Sequence, residues 1–114
     1  MNSEDTRQTL RQFARDRDWD LFHTPKNLAL ALVGEIGELA EHLQWASEKD
    51  LVPPLSTEKG QAIGEELADV AIYLIRLADV LHIDLDKAVD SKINSNADRY
   101  PADEVRGNSS KRQR

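Results

Sequence analysis

The sequence predicts an all-α protein, a bundle of four helices. No stretch alternates apolar and polar residues for long enough to form a convincing strand, whereas apolar residues recur with helical spacing along most of the chain. Prolines and good N-cap residues divide this pattern into four segments. The chain has 114 residues, which is enough for one small domain. Because a domain of this size buries a modest fraction of its surface, we expect a dimer or a dimer of dimers to add stability.

The first helix is expected to begin after Ser3, since serine is a good N-cap residue, and to fade near Arg17. Its apolar stripe is short and consists of Leu10, Phe13 and Ala14. An aromatic-rich connection, residues 18–23, follows it.

The second helix is expected to run from Pro25 to about Ser47, with Thr24 as its cap. Residues 28–33 are apolar on every side of this helix. A surface helix has only one apolar stripe, so this segment should be buried centrally or against another subunit.

The third helix is expected to follow the prolines at 53–54, to be capped by Ser56 or Thr57, and to end near Leu81. Its apolar side comprises Ile63, Leu67, Val70, Leu74, Leu77, Ala78 and Leu81. A second side carries Glu66, Asp69, Tyr73 and Arg76 at spacings of three and four.

The fourth helix is expected to be capped by Asp84 and to end at Tyr100. Two polar residues, Lys92 and Asn96, interrupt its apolar stripe. The folded domain should therefore cover residues 1–103, and the basic residues 104–114 should form a disordered tail.

Composition excludes several classes of protein. The net charge of −6 disfavours binding to nucleic acid, because an acidic surface repels phosphates. The absence of cysteine excludes disulfides, thiolate metal sites and cysteine nucleophiles. No apolar run is long enough to span a membrane and the first residues do not resemble a secretory signal, so we expect no membrane partner and a cytoplasmic location.

Two acidic motifs carry the functional argument. Glu35 and Glu38 lie three residues apart in the second helix, and Glu66 and Asp69 lie three apart in the third. Residues at this spacing share a helix face, so each motif presents two carboxylates together. If the two helices pack antiparallel, all four carboxylates can converge, at a high cost in desolvation unless a cation binds them.

Magnesium is the cation that this ligand set favours, with manganese as a possible substitute. Mg²⁺ takes oxygen ligands and retains waters, whereas iron and zinc favour sets that include imidazole, and no Glu-x-x-His motif occurs here. Gly34 and Gly37 flank the first motif inside a helix, which indicates close backbone approach or room for a ligand. The alternative interpretation is that both motifs are simply solvated helix faces.

These residues resemble a known family, the MazG-like all-α nucleotide pyrophosphohydrolases, and within it the dCTP pyrophosphatase branch. The resemblance covers about residues 7–103. The acidic motifs are typical of the superfamily, and the residues Asp18-Trp19, Phe22-His23 and Gln44-Trp45 are similar to the branch.

The resemblance implies Mg²⁺-dependent cleavage of a nucleoside triphosphate, such as dCTP or a modified dNTP, to the monophosphate and pyrophosphate. It implies metal ligands at Glu35, Glu38, Glu66 and Asp69. It implies nucleotide contacts at Trp19, Asp20, Leu21, Phe22, His23, Trp45 and Tyr73, with Lys92 and Asn96 as further polar positions. Either Glu38 or Glu41 could accept the proton of the attacking water, and Lys92 could offset charge on the departing pyrophosphate.

Two alternatives stay open at this point. One is a related activity on dUTP or on a broader set of triphosphates, because Leu10 stands near a position where dCTP-cleaving members of the family carry a polar contact. The other is a helical oligomerisation module without catalysis. Only an enzyme requires all four acids at these spacings.

Overall fold

Every regular element of the described chain is a helix. The computed structural model describes residues 1–108. The helices are α1 (Ser3–Asp16), α2 (Pro25–Gln44), a single 3₁₀ turn (Glu48–Leu51), α3 (Thr57–Val80), α4 (Leu85–Arg99) and the short α5 (Ala102–Val105). The prediction of an all-α protein with four long helices is therefore confirmed. Within residues 1–108, none of these helices is both long enough and apolar enough to cross a bilayer.

The helix caps explain where the elements begin. Thr24, Ser56 and Asp84 accept hydrogen bonds from backbone amides in the first turns of α2, α3 and α4, as their side chains predict. The prediction for α1 is wrong by one residue, because Asn2 is the cap and Ser3 is already helical. Asn2 Oδ1 accepts from the amides of Glu4 and Asp5.

The second helix ends earlier than predicted. α2 stops at Gln44, and Trp45 is its C-cap residue. Ser47, the predicted end of the helix, instead caps the 3₁₀ turn by accepting from the amide of Asp50. Serine favours positions that begin a turn, and the ends of helices are the part of a sequence-based boundary that is hardest to place.

The chain divides into two compact units, the first being Met1–His82 and the second beginning at Ile83. In the first unit, both α1 and α2 pack on α3. Two contacts give the direction of α2 relative to α3. Nδ1 of His23, just before the start of α2, lies 3.1 Å from Nε of Arg76. Nε2 of His42, near the end of α2, lies 3.7 Å from Oε1 of Glu66. Advancing along α2 thus means retreating along α3, so these two helices are antiparallel.

Few apolar side chains are buried in the described chain. The buried ones are Ala14, Leu28, Ile75 and Ala78. The predicted apolar side of α3 is only partly correct, because Leu67, Leu74 and Leu81 remain exposed while Ile75 and Arg76 are buried. Helical periodicity identifies an apolar stripe, but it does not show whether the same chain covers that stripe.

The second unit contains α4 and α5. Its caps agree with the prediction, since α4 begins after Asp84 and ends before Tyr100. The α5 helix, Ala102–Val105, lies across the predicted boundary between the domain and its basic tail. Residues 109–114 of that tail lie outside the described residues, so the division of the chain at residue 104 stays a prediction.

Candidate functional site

Three of the four predicted metal ligands meet between α2 and α3. Glu35 and Glu38 come from α2, and Glu66 comes from α3. One carboxylate oxygen of each lies within 4.8 Å of the corresponding oxygens of the other two. The antiparallel packing of two continuous helices produces this arrangement, because each helix presents its acids from a fixed face.

The cluster is electrostatically strained without a cation. Loss of solvation, reinforced by the neighbouring Glu38 carboxylate and by the charge of Asp69, raises the pKa of Glu35 from 4.5 to about 7. Loss of solvation and Glu38 also raise the pKa of Glu66. Glu35 and Glu66 therefore resist ionisation beside the other acids, as expected of like charges that share a site.

The donor set fits a hard divalent cation. Oε2 of Glu35 and Oε2 of Glu66 are buried and have no hydrogen-bond partner within residues 1–108. Buried polar atoms are normally satisfied, so two such carboxylate oxygens in one cluster are suited to receive a positive partner. Carboxylate oxygens alone form the set, which is the chemistry that Mg²⁺ or Mn²⁺ accepts.

Three further ionisable residues lie on the two helices that form the cluster. Asp69 lies one turn after Glu66 on α3 and acts on Glu35 through its charge, but its oxygens are outside the 4.8 Å group. Glu41 lies one turn after Glu38 on α2 and is exposed. His42 Nε2 lies 3.7 Å from Glu66 Oε1, a contact that the sequence pattern alone did not favour.

We expect the metal-free protein to lose thermal stability as pH rises. The pKa of Glu35 in the folded chain, about 7, lies above its ordinary value of 4.5, so the folded state holds more protons than the unfolded state between these values. The contribution of Glu35 to the free energy of unfolding is fully present below pH 4.5 and is lost as the pH rises through about 7. Thermal melts in a chelating buffer, taken from about pH 5 to about pH 8, measure this trend.

Glu35→Gln is the matched control for that experiment, because it keeps the shape of the side chain and removes its titration. Its melting temperature should vary less with pH than that of the natural chain over the same range. Added Mg²⁺ should restore the stability of the natural chain at the alkaline end and should leave Glu35→Gln less affected. If the melting temperatures of the two proteins varied equally with pH, the conclusion that Glu35 is protonated in the folded, metal-free cluster would be wrong.

An aromatic pocket lies further along α3. Its volume is about 310 Å³, and its lining is Leu10, Phe13, Trp19, His23, Ile72, Tyr73 and Arg76. The Phe13 and Trp19 rings meet edge to face with centroids 5.7 Å apart. Tyr73 follows Glu66 by seven residues on α3, which corresponds to about 10 Å of helix. The pocket and the acidic cluster are therefore separated by a distance that an extended nucleotide can span.

The pocket brings together only some of the predicted nucleotide contacts. Trp19, His23 and Tyr73 line it. Asp20 does not, and instead accepts a hydrogen bond of 2.9 Å from Arg76. Leu21 and Phe22 are exposed in the connection between α1 and α2.

Trp45 lies far from this pocket within one chain. It caps the C-terminal end of α2, whereas Trp19 and His23 precede the N-terminal end of the same helix. A helix of 20 residues is about 30 Å long. Trp45 is also 87% exposed, so the structure does not bring the two tryptophans to one site in a single chain.

Lys92 and Asn96 belong to the second unit, where they lie four residues apart on α4 and therefore share a face. Their proposed roles stay predictions.

Sequence reasoning missed several pocket residues. Phe13 was interpreted only as a stripe residue of the first helix and Ile72 was not singled out, although the apolar side chains of both line the pocket. Arg76 was noted only for its place on the second side of the third helix, yet it is buried and contacts three side chains. Its spacing of three from Tyr73 was the available signal, because it places both residues on one helix face.

Fold and site together define an all-α protein with a carboxylate cluster suited to a hard cation beside an aromatic pocket. A sequence profile of the MazG-like family matches residues 31–113. The chain belongs to the MazG-like family.

Curated relatives and a solved structure agree with this assignment. The chain is 50% identical over 109 residues to dCTP pyrophosphatase 1 of Rattus norvegicus, and 49% identical over 109 residues to that of Homo sapiens. Each alignment covers 95% of this chain and 64% of the relative, so the chain spans somewhat less than two thirds of these proteins. A pyrophosphatase from Archaeoglobus fulgidus has a crystal structure that is similar with a TM-score of 0.78 and 39% identity, over 86% of this chain and 91% of that one.

Proposed function

We propose that this chain is a Mg²⁺-dependent nucleoside triphosphate pyrophosphohydrolase that cleaves dCTP, or a modified or non-canonical dNTP, to the monophosphate and pyrophosphate. Its role would be to clear such nucleotides from the pool before they are incorporated. The observation that carries the proposal is the convergence of Glu35, Glu38 and Glu66, with two buried oxygens that have no hydrogen-bond partner within residues 1–108. The names of the relatives, dCTP pyrophosphatase 1, support the choice of substrate.

Glu35, Glu38, Glu66 and Asp69 would hold the cation, with Mn²⁺ able to replace Mg²⁺. When bound, the ion supplies charge neutralisation for the triphosphate and makes a nearby water more acidic. Glu38 or Glu41 accepts the proton of the attacking water, since both are glutamates on the α2 face that carries the cluster. Lys92 is the candidate for offsetting negative charge on the departing pyrophosphate.

The nucleobase would occupy the aromatic pocket. Trp19, Tyr73 and Phe13 offer flat apolar surfaces on which a base can stack, and stacking by itself discriminates weakly among bases. Asp20, Leu21, Phe22, His23 and Asn96 complete the proposed contacts. Because Leu10 is an apolar lining residue, hydrogen bonds to the base must come from other groups.

Trp45 takes part in this scheme only in an assembly of more than one chain. It lies about one helix length from the pocket of its own chain, so it would reach a nucleotide bound by another subunit. The many exposed apolar side chains on α2 and α3 support a homodimer or homotetramer.

The test is a panel of nucleoside triphosphates incubated with the purified chain and Mg²⁺, with products resolved by anion-exchange chromatography. The panel contains dCTP, 5-methyl-dCTP, dUTP, dTTP and the purine dNTPs. We expect dCMP and pyrophosphate from dCTP, with no turnover in the presence of a chelator. An inorganic pyrophosphatase is left out, so that pyrophosphate accumulates as such.

Each outcome separates the candidates. Comparable turnover of all nucleotides would indicate the broader triphosphate activity in place of dCTP cleavage. A preference for dUTP would indicate the related dUTP-cleaving activity. Release of diphosphate and orthophosphate would contradict cleavage between the α and β phosphates. Absence of turnover with every nucleotide and either metal would favour the oligomerisation module.

A further inference from the structure

A buried arginine stands at the boundary between the aromatic pocket and a second cavity. Arg76 is 7% exposed and is the one charged residue that is buried among residues 1–108. It lines the 310 Å³ aromatic pocket and also a more open cavity of about 500 Å³. Burying a charge is costly unless it is paired, so this position requires a reason.

The guanidinium group of Arg76 is held from three sides. Its Nε donates to Nδ1 of His23 at 3.1 Å, and one terminal nitrogen donates to Asp20 Oδ1 at 2.9 Å. The other terminal nitrogen lies 3.5 Å from Asp79 Oδ2. Asp79 is itself held by Arg11 through two hydrogen bonds of 2.7 and 2.5 Å. The planar fork of Arg76 therefore has little freedom to rotate.

The contact with His23 fixes the protonation of the imidazole ring. A guanidinium group only donates hydrogen bonds, so Nδ1 of His23 must accept and cannot carry a proton. The neutral ring then carries its proton on Nε2, on the side of the ring away from Arg76. Since His23 also lines the aromatic pocket, the arginine determines which kind of polar group the ring offers there.

We propose that Arg76 is a positioning residue for nucleobase recognition, which holds His23 as a neutral imidazole whose Nε2–H donates to an acceptor atom on the edge of a bound pyrimidine. The inference rests on the proposed function and deepens it, because it names the hydrogen bond by which the pocket would distinguish one base from another. The acceptor would be a ring nitrogen or a carbonyl oxygen, both of which cytosine carries on its pairing edge.

The surroundings of His23 keep the ring neutral. Burial and the positive charge of Arg76 lower the pKa of His23, and the negative charge of Asp20 opposes them more weakly. A neutral ring with a fixed tautomer gives the same donor throughout the physiological pH range. A site that must satisfy a specific hydrogen bond rejects analogues that cannot form it, which stacking on Trp19 or Tyr73 does not achieve.

The first test measures the ring itself. Long-range ¹H–¹⁵N correlation spectra of the full chain, labelled with ¹⁵N-histidine and assigned with His23→Gln, report which nitrogen is protonated and at which pH the ring titrates. We expect the Nε2-protonated tautomer in the natural chain. Arg76→Met should give a mixture of tautomers and raise the pKa of His23. Arg15→Met is the matched control, because Arg15 is an exposed arginine on α1 whose Nη1 lies 3.5 Å from Gln12 Oε1 and which has no hydrogen bond to His23, Asp20 or Asp79 within residues 1–108.

Arg76→Met is expected to fold, because the two carboxylates that lose their contact with Arg76 keep other hydrogen bonds or are in water. Asp79 keeps both hydrogen bonds from Arg11, and the Asp20 side chain is 60% exposed to water. Arg76→Lys is the second variant. It keeps the charge and one donor but not the fork, so we expect partial recovery of the tautomer.

The second test separates binding from chemistry. Loss of one oriented hydrogen bond should lower kcat/KM for dCTP roughly ten-fold in Arg76→Met, carried by KM with kcat little changed. Arg15→Met should leave KM unchanged. A natural chain with His23 protonated on Nδ1, or an unchanged tautomer in Arg76→Met, would overturn the inference even if hydrolysis is normal. Absence of all hydrolysis with the expected tautomer would instead count against the proposed function.

Discussion

Replacing Glu38 with alanine is expected to reduce hydrolysis by at least roughly 1,000-fold while the helices remain folded. A catalytic cation supplies several kcal/mol of transition-state stabilisation, and each 1.4 kcal/mol corresponds to a factor of ten in rate. Glu38 is exposed and lies within 4.8 Å of both Glu35 and Glu66, so its removal takes away a ligand and relieves repulsion at the same time. The metal-free variant should therefore melt at a higher temperature than the natural chain.

Binding of Mn²⁺ or Mg²⁺ followed by isothermal titration calorimetry gives a readout that does not depend on turnover. Glu38→Ala should bind the ion weakly, while Glu65→Ala should bind it normally, because Glu65 is an exposed glutamate on α3 outside the cluster. A third variant, Glu41→Ala, distinguishes the two candidate bases. If it binds metal but turns over poorly, Glu41 accepts the proton. Ordinary turnover by a folded Glu38→Ala protein would remove the assignment of the cluster as the active site.

Placing arginine at both Leu30 and Val33 is expected to dissociate the proposed homodimer or homotetramer into single chains. These residues lie three apart on α2 and are 70% and 65% exposed in one chain, although both are apolar. A methyl group added at Gly34 or Gly37 would meet no atom within 4 Å among the described residues, so the helix surface beside them is open as well. Burying two charges in an apolar interface costs several kcal/mol, which weakens association by at least about 100-fold.

Size-exclusion chromatography with light scattering measures this directly. Val52→Arg is the matched control, since Val52 is 62% exposed but lies after the 3₁₀ turn and not on α2. It should leave the mass of the assembly unchanged. A natural chain that is monomeric at micromolar concentration, or a double variant with the mass of the natural assembly, would contradict an interface on this face of α2.

The sequence was sufficient to predict the four long helices and the starts of three of them, because local interactions determine both. Thr24 and Asp84 were identified as caps from side-chain chemistry alone, and their hydrogen bonds are present. Ser3 was predicted as the cap of the first helix, whereas Asn2 is the cap; both residue types are good caps, and only the backbone geometry distinguishes them. Ser47 was misplaced for a different reason, because it caps a turn that follows the helix and does not end the helix.

The candidate site was predictable to the extent that it follows helical spacing. The meeting of Glu35, Glu38 and Glu66 could be predicted because it requires only that the two acidic motifs lie at the same height along two antiparallel helices. The contact between Arg76 and His23 spans 53 positions and joins a helix to a connection, so no spacing rule reports it. The burial of Arg76 likewise depends on tertiary packing, which a pattern of apolar residues does not contain.

The acids of the cluster project from the interiors of α2 and α3 and not from loops. Side chains on long, mutually packed helices are already ordered before any ion arrives, so ion capture requires little loss of conformational freedom. The energy that opposes this order is the electrostatic repulsion among the acids, and it is already present in the folded chain. Ion affinity should for that reason respond to ionic strength and pH far more than to the loop lengths at either end of the helices, and circular permutation within those loops should leave it intact.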